Sequence, residues 1–312
     1  MNNSDKLMPK VSVVIPTYNR PRLVVRAIQS VLNQTFKDFE VIVMDDSRNE
    51  DTASAMKSIG DPRVRYIHNP VRLDFCENKN HGVKNTNPTS AYIAFLDDDD
   101  EYLPHFLEKT VDFLDEHTDV FAITTYAEFK TQEGKLISIY PCECESWKIT
   151  MGNGWVLRKS VFLTDNIWYD KSLMSEDLDL GIAVAQKHKW KCLPEVLRIY
   201  YGYPAVKGAS HSTSFTKNTP TTEITRFLDK NFAFYEKSGP KALAWAHFLM
   251  GKMLCRANQV KEGRRYLGKA FGYDHRLVYL FYYLLSVFSP QSFGNMRLVI
   301  LKNKFKNKMK GL

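Results

Sequence analysis

Residues 97–101 read Asp-Asp-Asp-Asp-Glu and follow directly on the apolar run Ala91-Tyr92-Ile93-Ala94-Phe95-Leu96. Adjacent carboxylates repel one another, and each raises the pKa of its neighbours unless positive charge is supplied. A hard divalent cation with oxygen ligands supplies that charge. Mg²⁺ or Mn²⁺ commonly joins protein carboxylates to substrate phosphates. The plainer alternative is a solvated acidic turn ahead of a helix that begins near Pro104. Two more acidic points stand in the chain, Asp45-Asp46 and Glu176-Asp177. A positioned carboxylate can take a proton from a hydroxyl as general base. The eight histidines have no metal-ligand spacing.

These acids need a scaffold that brings them to one edge. Ala91–Leu96 is short and uninterrupted, which predicts a strand buried on both faces. The acids then fall where that strand leaves the sheet. In open α/β sheets ligands bind outside the carboxyl ends of the strands. Val11-Ser12-Val13-Val14-Ile15 predicts a first strand, stopped by Pro16-Thr17-Tyr18-Asn19-Arg20. Pro21 suits a first helical turn, and Leu23, Val24, Ala27, Ile28, Val31 and Leu32 form one apolar stripe after it. Phe39 to Met44 predicts a second strand ending in Asp45-Asp46-Ser47. Val64 to Ile67 predicts a third, and Phe75 to Lys84 a polar helix. Phe106, Leu107, Val111 and Leu114 stripe another helix, followed by a strand over Val120 to Thr125. This alternation predicts an α/β fold: a Rossmann-like, mostly parallel sheet with helices on both faces.

Regularity weakens further on. Gly134 marks a hairpin whose return strand is Leu136 to Tyr140. Met151-Gly152-Asn153-Gly154-Trp155 is a glycine-bearing loop. Its Trp155 either stacks on a sugar face or belongs to the core. Ser175 is suited to cap a helix with Asp177 in its first turn. There the free N–H groups and the helix dipole favour an ionised carboxylate, and Asp179 is expected to lie elsewhere on the helix and to tolerate replacement silently. Trp190 to Tyr203 predicts a strand. Gly208 to Pro220 is rich in Ser, Thr and Asn and reads as a linker. From Thr222 the pattern is helical. The expected division is a tail at 1–9, an α/β domain at 10–215 and a helical appendage at 216–312.

The 312 residues suffice for one large domain and a smaller one. The net charge of +8 asks for an acidic partner. No apolar stretch reaches the roughly 18 residues that a membrane span needs. The N-terminus lacks the apolar core of a signal peptide. Cys142-Glu143-Cys144 is too closely spaced for a zinc knuckle, and all five cysteines are expected to be reduced thiols in a cytoplasmic protein. Val278 to Phe288 is apolar all round. The segment from Arg297 carries Lys302, Lys304, Lys306, Lys308 and Lys310 with no acid. Two readings stand for this end: an element on an anionic membrane surface, or a helical cap with a frayed basic end.

Five stretches together carry a resemblance: VSVVIPTYNR, SVLNQTFKDFEVIVMDDS, DPRVRYI, YIAFLDDDDEYLP and SEDLDL. In content and order they resemble the family-2 inverting glycosyltransferases of the GT-A fold, over about residues 10–200. The resemblance implies transfer of a sugar from a nucleotide diphosphate to a hydroxyl with inversion. It implies that Pro16, Thr17, Tyr18 and Arg20 surround the nucleotide, with Tyr18 against the base. Asp46 would accept from the imide N–H of uracil or thymine. Lys79 stands where the family usually has an arginine near the nucleotide or pyrophosphate. Asp97 and Asp99 form a D-x-D frame in which Asp99 is the direct ligand of Mn²⁺ or Mg²⁺, and Asp97 or Asp98 holds the ribose or the metal's waters. Asp177 would be the base, with Glu176 beside it.

The implied partners are a nucleotide-sugar donor, UDP- before dTDP-, and a glycan or lipid-linked acceptor of the cell envelope. No nucleic acid is implied. The implied place is the cytoplasm, either free or peripheral at the cytoplasmic face of the inner membrane. Two rivals differ in what they require. A different nucleotide-sugar enzyme such as a pyrophosphorylase needs a glycine-rich phosphate loop after the first strand, and 16–20 contains no glycine. A non-catalytic carbohydrate- or nucleotide-binding protein predicts no metal-dependent turnover.

Overall fold

The computed structural model describes residues 8–142, 154–173, 176–202 and 221–288. The chain divides into two compact units, Met1–Lys171 with Glu176–Tyr201, and Ser172–Ser175 with Gly202–Leu312.

In the first unit β1 (Val11–Thr17) and β2 (Phe39–Asp45) are buried along their whole length, as two-faced apolar runs must be. α1 (Pro21–Leu32) joins them, with proline in its first turn and Val24, Ala27, Ile28 and Val31 buried. α2 (Asp51–Met56), β3 (Val64–His68), α3 (Phe75–Lys84) and β4 (Tyr92–Phe95) follow. Strands β3, β2, β1 and β4 lie side by side and parallel. The other half is mixed. It comprises β5 (Glu101–Tyr102), α4 (Phe106–Glu116), β6 (Val120–Thr131), β7 (Leu136–Tyr140), β8 (Val156–Arg158), α5 (Ser160–Leu163), α6 (Glu176–Lys187) and β9 (Lys189–Gly202). The full order is β3-β2-β1-β4-β8-β6-β9-β5, with β7 also on β6. β8 runs antiparallel to β4 and to β6. The core centres on Val13, Ile15, Val41, Val43, Ala94, Phe106 and Val156.

α3 is the expected polar helix, and its polar side turns inward. Asn78 and Lys79 are buried with Cys76, Gly82 and Val83. Asp74 caps it, accepting from the Glu77 N–H at 2.8 Å. Gly82 permits its close approach to β1, since a Cβ there would stand 2.4 Å from Val14 Cγ1.

The second unit holds α7 (Thr221–Lys237), α8 (Pro240–Arg256), α9 (Val260–Tyr273) and α10 (Leu277–Phe288). α8 and α9 meet through Gly251 and Gly263, each backed by the other's carbonyl. Ala244, Phe248, Cys255, Leu267, Ala270, Tyr279 and Tyr282 form its core. Among the described residues no helix is long and apolar enough to cross a membrane. The linker expected at 208–220, the capping Ser175 and the basic segment from Arg297 lie outside the described residues.

One expectation is corrected. Cys142 and Cys192 form a disulfide, with Cα atoms 6.0 Å apart. They lie 50 residues apart in sequence and meet because β6 brings the exit of β7 and the start of β9 together. Cys spacing alone could not reveal that pairing. Cys76 and Cys255 are free and buried.

Candidate active site

The acidic points gather at the carboxyl ends of β1, β2 and β4. Asp45 closes β2 and is fully buried. It accepts from the Tyr66 hydroxyl at 2.7 Å and from the Ser47 N–H at 2.8 Å, so it braces the turn. Asp46 points elsewhere. Its Oδ1 accepts from Asn69 Nδ2 at 2.8 Å and from the Leu73 N–H at 3.3 Å. Burial pushes its carboxyl above the ordinary range, against those two hydrogen bonds and the charges of Arg48 and Arg72. The Arg72 guanidinium lies 4.2 Å over the Tyr18 ring. Asn69 and Arg72 were not singled out in the sequence, because a lone polar residue in a loop carries no signal. Pro16 is buried within β1 opposite Met44, one residue before Thr17 at the strand end.

After β4 the four aspartates separate. Asp97, Asp99 and Asp100 each offer a carboxylate oxygen, and these oxygens lie within 4.8 Å of one another. Asp98 turns away, accepting from Thr17 Oγ1 at 2.7 Å and from Arg20 Nη1 at 2.9 Å. Arg20 Nη1 also reaches Asp99 Oδ2 at 2.9 Å. Arg26 Nη2 holds the Asp99 carbonyl at 2.6 Å. Asp100, which the D-x-D frame passes over, is tied to the Tyr201 N–H at 3.1 Å. The turn decides which carboxylates converge, and residue spacing does not. Burial pushes the Asp98 carboxyl up to about 6, with Arg20 and Thr17 opposing and Asp99 adding to the rise. Burial also raises Asp97 well above the carboxylate range; Lys79 opposes, while Asp99 and Asp100 add to the rise. An all-oxygen donor set with its negative charge incompletely offset fits Mg²⁺ or Mn²⁺.

Glu176 and Asp177 open α6. Asp177 Oδ1 accepts from Lys79 Nζ at 2.9 Å, and Asp97 Oδ1 lies 4.0 Å from the same nitrogen. Lys79 itself has no exposed surface, and its ammonium faces these carboxylates. Burial acts to lower its pKa, but Asp177, Tyr169, Asp97 and Glu176 together raise it well above the ordinary lysine range. Glu176 is 6% exposed, and its carboxyl is pushed up to about 7, first by burial and then by Asp177. Asp179, on the same helix, is buried at 2% exposure. Trp155 is buried at 3% exposure with its ring 5.5 Å from that of Trp190, which gives it to the core.

Residues 12–174 match the family model for glycosyl transferase family 2. The chain belongs to that family. An uncharacterized glycosyltransferase of Rickettsia bellii is 31% identical over 190 residues, 57% of this chain and 27% of that protein. The GalNAc(5)-diNAcBac-PP-undecaprenol beta-1,3-glucosyltransferase of Campylobacter jejuni is 42% identical over 99 residues, 31% of each protein. The chain thus spans less than a third of the length of these two curated relatives. Among solved structures, Staphylococcus aureus TarS 1-349 with UDP-GlcNAc superposes at a TM-score of 0.56 and 15% identity, over 85% of this chain and 88% of that one. The mannosyltransferase PcManGT of Pyrobaculum calidifontis, with GDP-Man and Mn²⁺, gives 0.58 and 14%, over 96% and 87%. At such identities the likeness is one of fold, and the family-2 glycosyltransferase carries the GT-A-like architecture expected of it.

Proposed function

We propose that this glycosyltransferase moves a sugar from a nucleoside-diphosphate sugar to a hydroxyl of a glycan or lipid-linked saccharide, inverting the anomeric carbon. The observation that carries the reading is the reach of Lys79. Its Nζ is 2.9 Å from Asp177 and 4.0 Å from Asp97, so a candidate base and a candidate diphosphate-binding acid share one side chain.

In this reading Asp177 takes the proton of the acceptor hydroxyl. The hydroxyl oxygen forms the new bond to C1 as the C1–O bond to the diphosphate breaks, and that electron pair leaves on the phosphate oxygen. Attack from the face opposite the leaving group inverts C1 without a covalent intermediate. Glu176, its carboxyl held up near 7, stands beside Asp177 as an orienting group for the acceptor. Asp99, Asp97 and Asp100 would hold a divalent cation, which supplies Lewis-acid stabilisation to the leaving diphosphate when bound. Arg20 and Thr17 fix Asp98 toward the ribose. Asp46 accepts from the imide of uracil or thymine, with Tyr18 against the base.

UDP-GlcNAc in TarS and GDP-Man with Mn²⁺ in PcManGT support a nucleotide-sugar donor and a divalent metal. The undecaprenol-linked substrate in the Campylobacter relative's name, and the colanic acid biosynthesis named for a 37% identical Escherichia coli relative, support a cell-envelope glycan as acceptor. Such an acceptor lies at the cytoplasmic face of the inner membrane. A peripheral contact there accords with α10, where Leu277 is 67% and Phe281 50% exposed.

The test is a panel of UDP-, dTDP- and GDP-sugars scored for thermal stabilisation and hydrolysis, with and without Mn²⁺. The expected result is stabilisation and slow hydrolysis by a UDP-sugar in the presence of Mn²⁺, with both lost in Asp99→Ala. Binding without metal-dependent turnover would favour a non-catalytic protein. No response to any donor would overturn the proposal.

A further inference from the structure

Among the described residues Lys79 is the largest charged side chain that is fully buried, and its surroundings hold more than one kind of group. Its side chain has no exposed surface. The ammonium lies 4.2 Å from the ring centre of Phe75, 4.8 Å from that of Tyr169 and 6.0 Å from that of Phe95. Aromatic faces of this kind hold a desolvated cation. The cage is itself fixed. Asn80 Nδ2 donates to the Tyr169 carbonyl at 3.0 Å, and the Tyr169 N–H donates back to Asn80 Oδ1 at 3.1 Å. Asn78 Nδ2 anchors α3 to the Met44 carbonyl at 3.0 Å. Among the described residues the short polar contact of the lysine is Asp177 Oδ1 at 2.9 Å, while the Asp177 side chain stays 24% exposed.

We propose that Lys79 is a positioning residue for the base: it pins one oxygen of Asp177 so that the other faces the acceptor hydroxyl. This rests on the reading of Asp177 as base. A buried ion pair adds little to stability against its desolvation cost. Its worth lies in orientation, since holding a reacting group in place removes entropy from the barrier. The 4.0 Å approach to Asp97 places the same ammonium between the base and the diphosphate-binding acids.

The experiment compares Lys79→Met, Lys79→Arg, Asp177→Asn and the Lys79→Met/Asp177→Asn pair in the full chain. Affinity for UDP with Mn²⁺ is read by calorimetry, kcat and donor KM by transfer assay, and folding by thermal melting. Lys79→Met is expected to lower kcat about 10- to 100-fold, with UDP affinity and donor KM unchanged within about twofold. Lys79→Arg keeps the charge and should recover most of kcat. In the Asp177→Asn background, Lys79→Met should add less than about a further twofold, because residues acting as one unit are not additive. A tenfold rise in donor KM with kcat kept would make Lys79 a diphosphate ligand and overturn the proposal. So would losses that multiply in the double variant. If Asp177→Asn keeps its turnover, the base reading falls and this proposal with it. If Asp177→Asn loses turnover while Lys79→Met does not, the base reading stands and this proposal alone falls. Should Lys79→Met fail to fold, Lys79→Gln decides, with a lowered kcat at constant KM supporting the proposal and a raised KM or an unchanged kcat overturning it.

Discussion

The first unit takes charge out of water at Lys79, Asp98 and Glu176, whereas the second leaves apolar surface in it along α10. Lys79 has no exposed surface, and Glu176 and Asp98 are 6% and 5% exposed. On α10 Leu277, Phe281, Leu284 and Val287 are 67%, 50%, 41% and 39% exposed. Either departure is unfavourable by itself. Buried charge costs several kcal/mol per ion unless it is well paired. Exposed apolar stripes mark surfaces that meet something else. Departures from folding rules collect where a protein works. The first unit's departure lies at strand ends, where small ligands bind. The second's lies on a helix whose other face, Tyr279 and Tyr282, is already in the core. The two departures suit different kinds of ligand, and substitutions can be aimed at each in turn.

The largest expected effect is at Asp177. Replacement by Asn keeps the size and the contact with Lys79 but cannot take a proton. Single-turnover transfer should fall by about two to four orders of magnitude, with donor and metal affinity kept. Near-normal turnover would move the role to Glu176. Loss of donor affinity in place of rate would make Asp177 a binding group.

Glu176 gives a pH signature to the same region. Its carboxyl stands at about 7 in the folded protein against an ordinary 4.5. The folded state thus holds this proton more tightly than the unfolded chain does. Its contribution to stability is complete below the ordinary value and is lost as pH rises through about 7. A span of that size is worth up to about 3 kcal/mol. Melting of the metal-free protein between about pH 5 and pH 8 should therefore show a steeper loss for the wild type than for Glu176→Gln. Parallel curves would mean that the buried carboxyl carries its charge at no cost.

Gly82 tests the packing that delivers Lys79 to its place. A methyl group there meets Val14 Cγ1 at 2.4 Å and Met44 Cγ at 3.1 Å. Gly82→Ala should destabilise by about 1–3 kcal/mol, the usual cost of overpacking, and should shift α3 enough to lower transfer as well. A chemical denaturation curve with an unchanged midpoint would show that α3 has slack against β1.

What the sequence made legible follows from the length of each signal. β1, β2 and β4 stood out because strands buried on both faces are continuous apolar runs, and α3 was readable from end to end. What escaped depends on partners far along the chain. Lys79 and Asp177 are 98 residues apart, and nothing in either neighbourhood records the other. The split among Asp97, Asp98, Asp99 and Asp100 was hidden for a local reason. In a turn, consecutive side chains diverge, so adjacency in sequence does not say which carboxylates converge. The Cys142–Cys192 pair escaped because sheet order, with β6 between β8 and β9, is a long-range property.

The smallest expected effect belongs to α10. Its exposed residues recur at spacings of four and three, so they form one stripe along the helix. Six basic residues and no acid follow between 289 and 312. An apolar stripe beside basic charge suits an anionic lipid surface, where each basic residue near the surface adds about 1 kcal/mol before screening. Two contributions are therefore separable. Phe281→Asp with Leu284→Asp removes apolar contact and should lower the fraction bound to phosphatidylglycerol vesicles by about tenfold, at low and high salt alike. A chain ending at Asn295 removes all six basic residues. It should lose only the binding that salt already weakens. Both changes lie in the second unit, and transfer to a soluble acceptor is expected to stay at the wild-type rate. Equal sedimentation of all three proteins would mean that α10 is a cap whose exposed face meets no membrane. A fall in soluble-acceptor turnover would show that the second unit does more than bring the enzyme to its acceptor.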